Sequence, residues 1–156
     1  MGMENFMKMA IQAAVDNVSE NHGGPFGAVV VKEGKIVGIG RNEVTSSNDP
    51  TAHAEIQAIR SACANLGTFQ LEDCEIYSSC EPCPMCMGAI FWARPTAVYF
   101  ASTKEDAAAA GFDDQFIYEQ LALAAGERQI IMKQLFVQES QDPFQAWVSS
   151  LTKITY

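Results

Sequence analysis

The sequence predicts an α/β protein in which a five-stranded mixed sheet lies between helices, in a three-layer α/β/α arrangement. Three observations carry that expectation. A β-branched run from Phe26 to Lys32 is followed, after only two residues, by a second run from Lys35 to Arg41. Short apolar runs recur at Cys74 to Ser78, Ala97 to Ala101 and Ile130 to Val137, and the segments between them carry helical periodicity. A two-residue turn makes its strands antiparallel, whereas strands joined through helices prefer parallel neighbours, so the sheet is mixed.

Each element has its own local reason. Met3, Met7, Ala10, Ala14 and Val18 recur at steps of three and four, the period of an amphipathic helix, and Gly23-Gly24-Pro25 ends it. Glu33-Gly34 supplies the turn of the hairpin. After a polar loop from Asn42 to Asp49, Thr51 to Ala64 reads as a helix with Ile56, Ile59 and Cys63 on one side. Pro84 to Ala93 is a helix that must close before Arg94-Pro95, because the residue ahead of proline is pushed away from helical angles. A loop containing Ala107 to Gly111 leads to a helix from about Asp113 to Ala124. Asp142 is placed to cap a last helix with Pro143 at its first position and Phe144, Trp147, Val148, Leu151 and Ile154 along one side.

Composition narrows the function. The 156 residues read as one domain, long enough to bury about 70% of the unfolded surface without disulfides. A net charge of −9 works against any partner held by its phosphates, so nucleic acid is not expected. No apolar stretch approaches a membrane span, and the first thirty residues lack a basic start followed by an apolar block. Five cysteines, three of them between Cys80 and Cys86, suit metal chemistry in a reducing compartment, and a cytoplasmic setting is expected.

The strongest signals are His53-Ala54-Glu55 and Glu81-Pro82-Cys83-Pro84-Met85-Cys86, each at the entrance of a predicted helix. Cys83 and Cys86 are three apart, so a first helical turn puts both sulfurs on one side. His53 is the natural third zinc ligand, and three protein ligands leave a fourth corner for water, which zinc ionises near neutral pH. Glu55, two residues beyond His53, reaches the same cavity only from a first turn, where side chains lean back past the helix end. It reads as the proton carrier and not as a ligand. A closed structural site of Cys80, Cys83, Cys86 and His53 is the alternative; otherwise Cys80 is a small buried hydrophobe at a strand end. His22, beside Gly23, reads as a surface loop residue.

This pattern, His-x-Glu followed by Pro-Cys-x-x-Cys, resembles the zinc-dependent nucleobase deaminases of the cytidine/deoxycytidylate deaminase-like superfamily. Gly24 to Val29, Asn48 to Glu55, Ser79 to Cys86, Gly111 to Asp114 and Pro143 to Trp147 are similar to its bacterial guanine deaminase branch. The resemblance implies a cytidine deaminase-like fold, one Zn2+ per subunit, and hydrolysis of guanine to xanthine and ammonia, with Glu55 relaying the proton. It implies that Asp114 contacts the guanine amino side and aids proton movement; the lesser alternative is a helix N-terminal acid favoured by the dipole. It further implies that Phe26, Asn42, the Ala54 backbone amide and Trp92 contact the purine. Taken alone, Phe26 and Trp92 could be core residues and Asn42 a turn former. By periodicity the last helix packs on its own sheet. The resemblance instead implies a homodimer in which the segment from about 140 to 156 crosses to the partner and lays Tyr156 over its site.

Other functions share parts of the pattern. A tRNA adenosine deaminase has the same metal motif but needs basic residues to hold its substrate. Cytosine or another amino-substituted ring is a further alternative, and a zinc module without catalysis is the alternative from a different class.

Overall fold

The computed structural model describes residues 2–156, and Met1 lies outside them. The chain divides into two compact units, one extending to Asp114 and the other spanning Gln115–Tyr156.

In the first unit the elements run α1 (Met3–Ser19), β1 (Gly27–Lys32), β2 (Lys35–Arg41), the short α2 (Val44–Ser47), α3 (Ala54–Leu66), β3 (Cys74–Cys80), α4 (Pro84–Ala93), β4 (Ala97–Ser102) and α5 (Lys104–Ala109). The sheet has four strands in the order β2-β1-β3-β4. β1 pairs antiparallel with both β2 and β3, and β3 pairs parallel with β4. At the hairpin turn Glu33 and Gly34 both take positive φ, at 49° and 73°, as a turn matched to the strands' right-handed twist requires. The register then slips between Val30 and Val31, where Val37 of β2 is the extra residue of a bulge.

The α/β class and the layered arrangement follow from the alternation along β1. Ala28 and Val30 point into one apolar cluster with Ala54, Ala58 and Ala62 of α3 and Ile90 and Ala93 of α4. Val29 and Val31 point into another, with Phe6 and Ala10 of α1 and Tyr77 of β3. A strand buried on both faces reads as a continuous apolar run, which is why Ala28-Val29-Val30-Val31 shows no alternation of its own. The approach of α3 is set by two glycines of β2. A Cβ on Gly38 would collide with the backbone of Ala58 and Ala62, and one on Gly40 with the backbone of Ala54 and Ala58. Small residues on both surfaces therefore draw the first turn of α3 down onto β2.

Four expectations are corrected in part. The buried stripe of α1 is Phe6, Ala10, Ala14 and Asn17, whereas Met3 and Val18 are about half exposed, at 51% and 49%. The expected helix at Thr51 begins instead at Ala54, because Asp49 Oδ1 takes the Thr51 N–H and hydroxyl in a tight turn. The helix α5, unforeseen in its loop, is started by a reciprocal cap. Thr103 Oγ1 accepts the Asp106 N–H, and Asp106 Oδ2 accepts the Thr103 N–H. Among the described residues the sheet has four strands and lacks the expected fifth.

That missing strand belongs to the second unit, which holds α6 (Gln115–Ala122), two single 3-10 turns and α7 (Asp142–Ser149). Residues 130–137 carry no regular structure. An apolar run becomes a strand only when another strand takes its backbone N–H and C=O groups, and the sheet ladder ends at β4. Ile130, Ile131, Leu135 and Phe136 are exposed in the single chain. In α7 the cap residue is Gln141, with Asp142 already helical, and the helix stops at Ser149, short of Leu151 and Ile154.

The seating of α3 generates a first prediction. Gly40→Ala forces α3 away from β2, an overpacking that costs about 1–3 kcal/mol of unfolding free energy. Urea denaturation should show a lower midpoint at an unchanged slope; an unchanged midpoint contradicts the close packing.

Candidate metal centre and active site

Two helix starts build the site. His53 caps α3 with extended backbone angles, and Cys83 caps α4 with Pro84 following it. Cys86 sits in the first turn of α4 and is fully buried. Proline in the first turn loses no hydrogen bond, since the N–H groups there have no helical partner. One of those N–H groups, that of Cys86, donates to Cys83 Sγ at 3.5 Å.

His53 Nδ1 lies 3.5 Å from Cys83 Sγ and 3.5 Å from Cys86 Sγ. All three ligand atoms fall within 4.8 Å of one another. With reference bonds of about 2.3 Å to sulfur and about 2.0–2.1 Å to nitrogen, the S–N edge of a tetrahedral zinc site is about 3.5 Å. The donor set and its spacing therefore fit zinc. Cys80, the alternative fourth ligand, stands apart: it is buried at the end of β3, its thiol donates to the Thr103 carbonyl at 3.5 Å, and it does not join the cluster.

Electrostatics prepare the ligands. The Cys86 thiol donates toward Cys83 and, with His53 close by, holds the Cys83 thiol down at about 4. The same hydrogen bond raises Cys86, and burial adds to it. His53 is raised, first by its hydrogen bond with Cys83. A thiolate and a proton-rich neighbourhood are thus ready for a cation that displaces the protons. Glu55, in the first turn of α3 and 7% exposed, has its carboxyl raised chiefly by burial, with the Cys83 charge adding. Ser78 Oγ donates to Glu55 Oε1 at 3.1 Å, and Glu55 Oε2 lies 3.5 Å from Cys86 Sγ. Glu55 is therefore beside the ligand triad, with Oε1 held by the Ser78 hydroxyl and Oε2 accepting from the Cys86 thiol.

A cavity of about 560 Å³ opens onto these groups. Of the expected residues, Phe26, Asn42, His53, Glu55, Cys83 and Asp114 line it. Asp114 is raised by burial and by the Cys83 charge. Phe26 meets Phe112 edge-on, with ring centroids 4.9 Å apart. Asn42 Oδ1 accepts the Gly24 N–H at 3.2 Å and the Val44 N–H at 3.3 Å, so Asn42 forms the turn while also lining the cavity: the oxygen is committed to the loop and the NH2 group is not. Ala54 does not line the cavity; its methyl group is in the core and its N–H is an N-terminal one of α3. Trp92 also lies outside the cavity and is 63% exposed. It is six residues past Cys86, about 240° around α4 from the ligand face. Tyr156 belongs to the second unit, where its ring packs against Trp147 at 6.5 Å.

The structure brings further residues to the site. Ser78, 2% exposed on β3, is the partner of Glu55. Phe112 and Glu81 line the cavity, and Glu81 Oε2 accepts the Lys104 N–H at 3.1 Å. His22 is not plain surface: it is partly buried, with Nε2 3.6 Å from Glu43 Oε1. The Thr-x-x-Asp cap at 103–106 was readable; the role of Ser78 had no local signal.

The chain belongs to the cytidine and deoxycytidylate deaminase zinc-binding family, whose pattern matches residues 2–102. It is 54% identical to guanine deaminase of Bacillus subtilis (strain 168) over 156 residues, all of both chains. The crystal structure of Bacillus subtilis guanine deaminase superposes with a TM-score of 0.98 over 100% of this chain and 99% of that one. A tRNA-specific adenosine deaminase of Aquifex aeolicus is 44% identical over 102 residues, 65% of this chain and 67% of its own length. A guanine deaminase structure from Nitrosomonas europaea is 33% identical, covers 72% of this chain and 65% of that chain, and has a TM-score of 0.68.

The geometry predicts the metal stoichiometry. Elemental analysis should find one zinc per chain in the wild type and in Cys80→Ser, and a loss of at least about tenfold in zinc affinity in His53→Ala or Cys83→Ser. Loss of zinc in Cys80→Ser would restore the closed four-ligand site.

Proposed function

We propose that this chain is a zinc-dependent guanine aminohydrolase that converts guanine and water to xanthine and ammonia. One observation carries the reading: the three-ligand cluster shares its cavity with a buried carboxylate, Glu55, that is not itself one of the clustered ligands. Zinc bound by three side chains supplies a water that ionises near neutral pH and a Lewis acid beside the reacting carbon.

The chain's own groups handle position and protons. Glu55, anchored through Oε1 by the Ser78 hydroxyl, receives the proton of the attacking water. It passes that proton to the ring nitrogen next to the amino-bearing carbon and then assists departure of the amine as ammonia. Burial keeps its proton affinity high enough to hold the proton between the two transfers. Asp114 faces the same cavity and serves the amino side of the base. Phe26 and Phe112 offer apolar ring surface to a flat heterocycle, and the Asn42 NH2 group donates to an acceptor on its edge. The resemblance to guanine deaminases adds the Ala54 N–H, Trp92 and Tyr156 as contacts with the base.

Guanine is favoured over the alternatives by two findings. Likeness to guanine deaminase spans the whole chain, including residues 115–156, whereas the tRNA-specific relative matches only 102 residues. The cavity is lined by Glu55, Glu81 and Asp114 with no Lys or Arg, which suits an uncharged base and disfavours a phosphorylated or polyanionic substrate. The cysteine usage supports a cytoplasmic setting, and no described helix is long and apolar enough to cross a membrane.

The catalytic unit in this proposal is the full chain as a single domain acting in a homodimer. The exposure of Leu151, Ile154 and Tyr156, at 100%, 69% and 69% in the single chain, supports a C-terminal segment that crosses to the partner and covers its site.

Ammonia release from guanine, adenine, cytosine and their nucleosides tests the substrate: guanine should lead the panel, and a leading adenosine or cytosine overturns it. Glu55→Gln should keep zinc and lose about 10²–10⁴ in kcat; an unchanged rate rules out the proton relay. Deleting residues 153–156 should leave zinc bound while turnover falls; loss of stability alone means the segment only packs.

A further inference from the structure

Asn17 stands where the buried stripe of α1 calls for an apolar residue, in line with Phe6, Ala10 and Ala14, and it is fully buried. Asparagine is a poor choice for a helix interior unless its side chain is used. Its Nδ2 donates to the Gly24 carbonyl at 2.7 Å and to the Asn42 carbonyl at 2.9 Å. Carbonyl oxygens only accept, so the amide must present its NH2 to both, and Oδ1 is left buried without a partner. The two bonds tie the last turns of α1 to two separate backbone carbonyls.

The two carbonyls belong to the two loops that wall the cavity. Gly23, Gly24 and Phe26 line it from one loop, and Asn42 from the other, together with Val44 and Thr45 of the α2 helix that follows it. Cross-bonds join the same loops: the Asn42 N–H donates to the Phe26 carbonyl at 3.1 Å, and Asn42 Oδ1 accepts from Gly24 and Val44. The backbone N–H, the backbone carbonyl and the side-chain oxygen of Asn42 are all tied, and only its NH2 group remains for a ligand. Gly23 closes the arrangement, since a Cβ there would run into the Asn42 carbonyl and press on Asn17 Nδ2.

We infer that Asn17 is a positioning residue for substrate recognition: from beneath the cavity it fixes Asn42 so that the Asn42 NH2 meets a carbonyl or ring-nitrogen acceptor on the base. The inference rests on the deaminase reading above and on Asn42 as a substrate contact. It assigns Asn17 an effect on binding and base discrimination, and none on the metal ligands or on Glu55, which stand on other elements. Pre-organising a single donor in this way lowers the entropy lost when the base binds.

Steady-state guanine deamination by the zinc-loaded wild type, Asn17→Ala, Asn42→Ala and the double variant tests it. Asn17→Ala should raise KM about tenfold with kcat within about threefold, and should add nothing further in the Asn42→Ala background. Zinc content and a cooperative melt are measured in parallel, because a merely structural role lowers melting without that dependence on Asn42. Should Asn17→Ala not fold, Gly23→Ala displaces the same Asn42 carbonyl from the other side and should show the same KM effect, again lost in Asn42→Ala. An unchanged KM, or effects that multiply with those of Asn42→Ala, overturns the inference alone. A zinc-loaded wild type inactive on guanine overturns the functional reading, and this inference with it.

Discussion

The whole site depends on two helix starts meeting at one point. His53 at the head of α3 and Cys83 at the head of α4 hold their ligand atoms 3.5 Å apart, although thirty residues of chain separate them. Neither helix is held there by its own propensity. α3 is seated by Gly38 and Gly40 beneath its alanines, and α4 shares the same apolar cluster while linking the parallel pair β3 and β4. Helix N-termini then contribute in a second way, because their unpaired N–H groups and positive dipole end favour thiolate over thiol. At Cys83 that contribution comes through the Cys86 N–H and adds to the larger ones, the hydrogen bond from the Cys86 thiol and the nearby His53, which hold the thiol low before any cation arrives.

Around that junction the protein places one carboxylate in a dry position. Glu55 gains little from solvent, so its proton affinity rises, and the Ser78 hydroxyl fixes one oxygen while the other stays beside the ligand cluster. Such an arrangement suits a group that must hold a proton and then give it back. The acidic wall completed by Glu81 and Asp114 sets the character of the cavity, in keeping with the chain's overall negative charge.

The sequence was most legible where the reason for structure is local. The hairpin turn at Glu33-Gly34 and the bounds of α4 between Pro84 and Ala93 are written in neighbouring residues, and the structure has them as expected. The ligand triad was legible because a Cys-x-x-Cys step at a helix start dictates its own geometry. Distant partners decided the rest. Residues 130–137 have strand-like composition, yet a strand exists only with a neighbour to bond, and the ladder stops at β4. Trp92 looked like a stacking surface by type, while its angular position on α4 puts it off the ligand face. Ser78 acquires its role from Glu55, 23 positions away, and Asn17 its role in part from Asn42, 25 positions away, and no local pattern names those partners.

Zinc-edge X-ray absorption on the purified protein tests the central claim most directly, because it counts the atoms bound to the ion. The account predicts two sulfurs at about 2.3 Å and two lighter atoms at about 2.0–2.1 Å, one from imidazole and one from solvent. Three sulfurs and one nitrogen would mean a closed structural site and would contradict it.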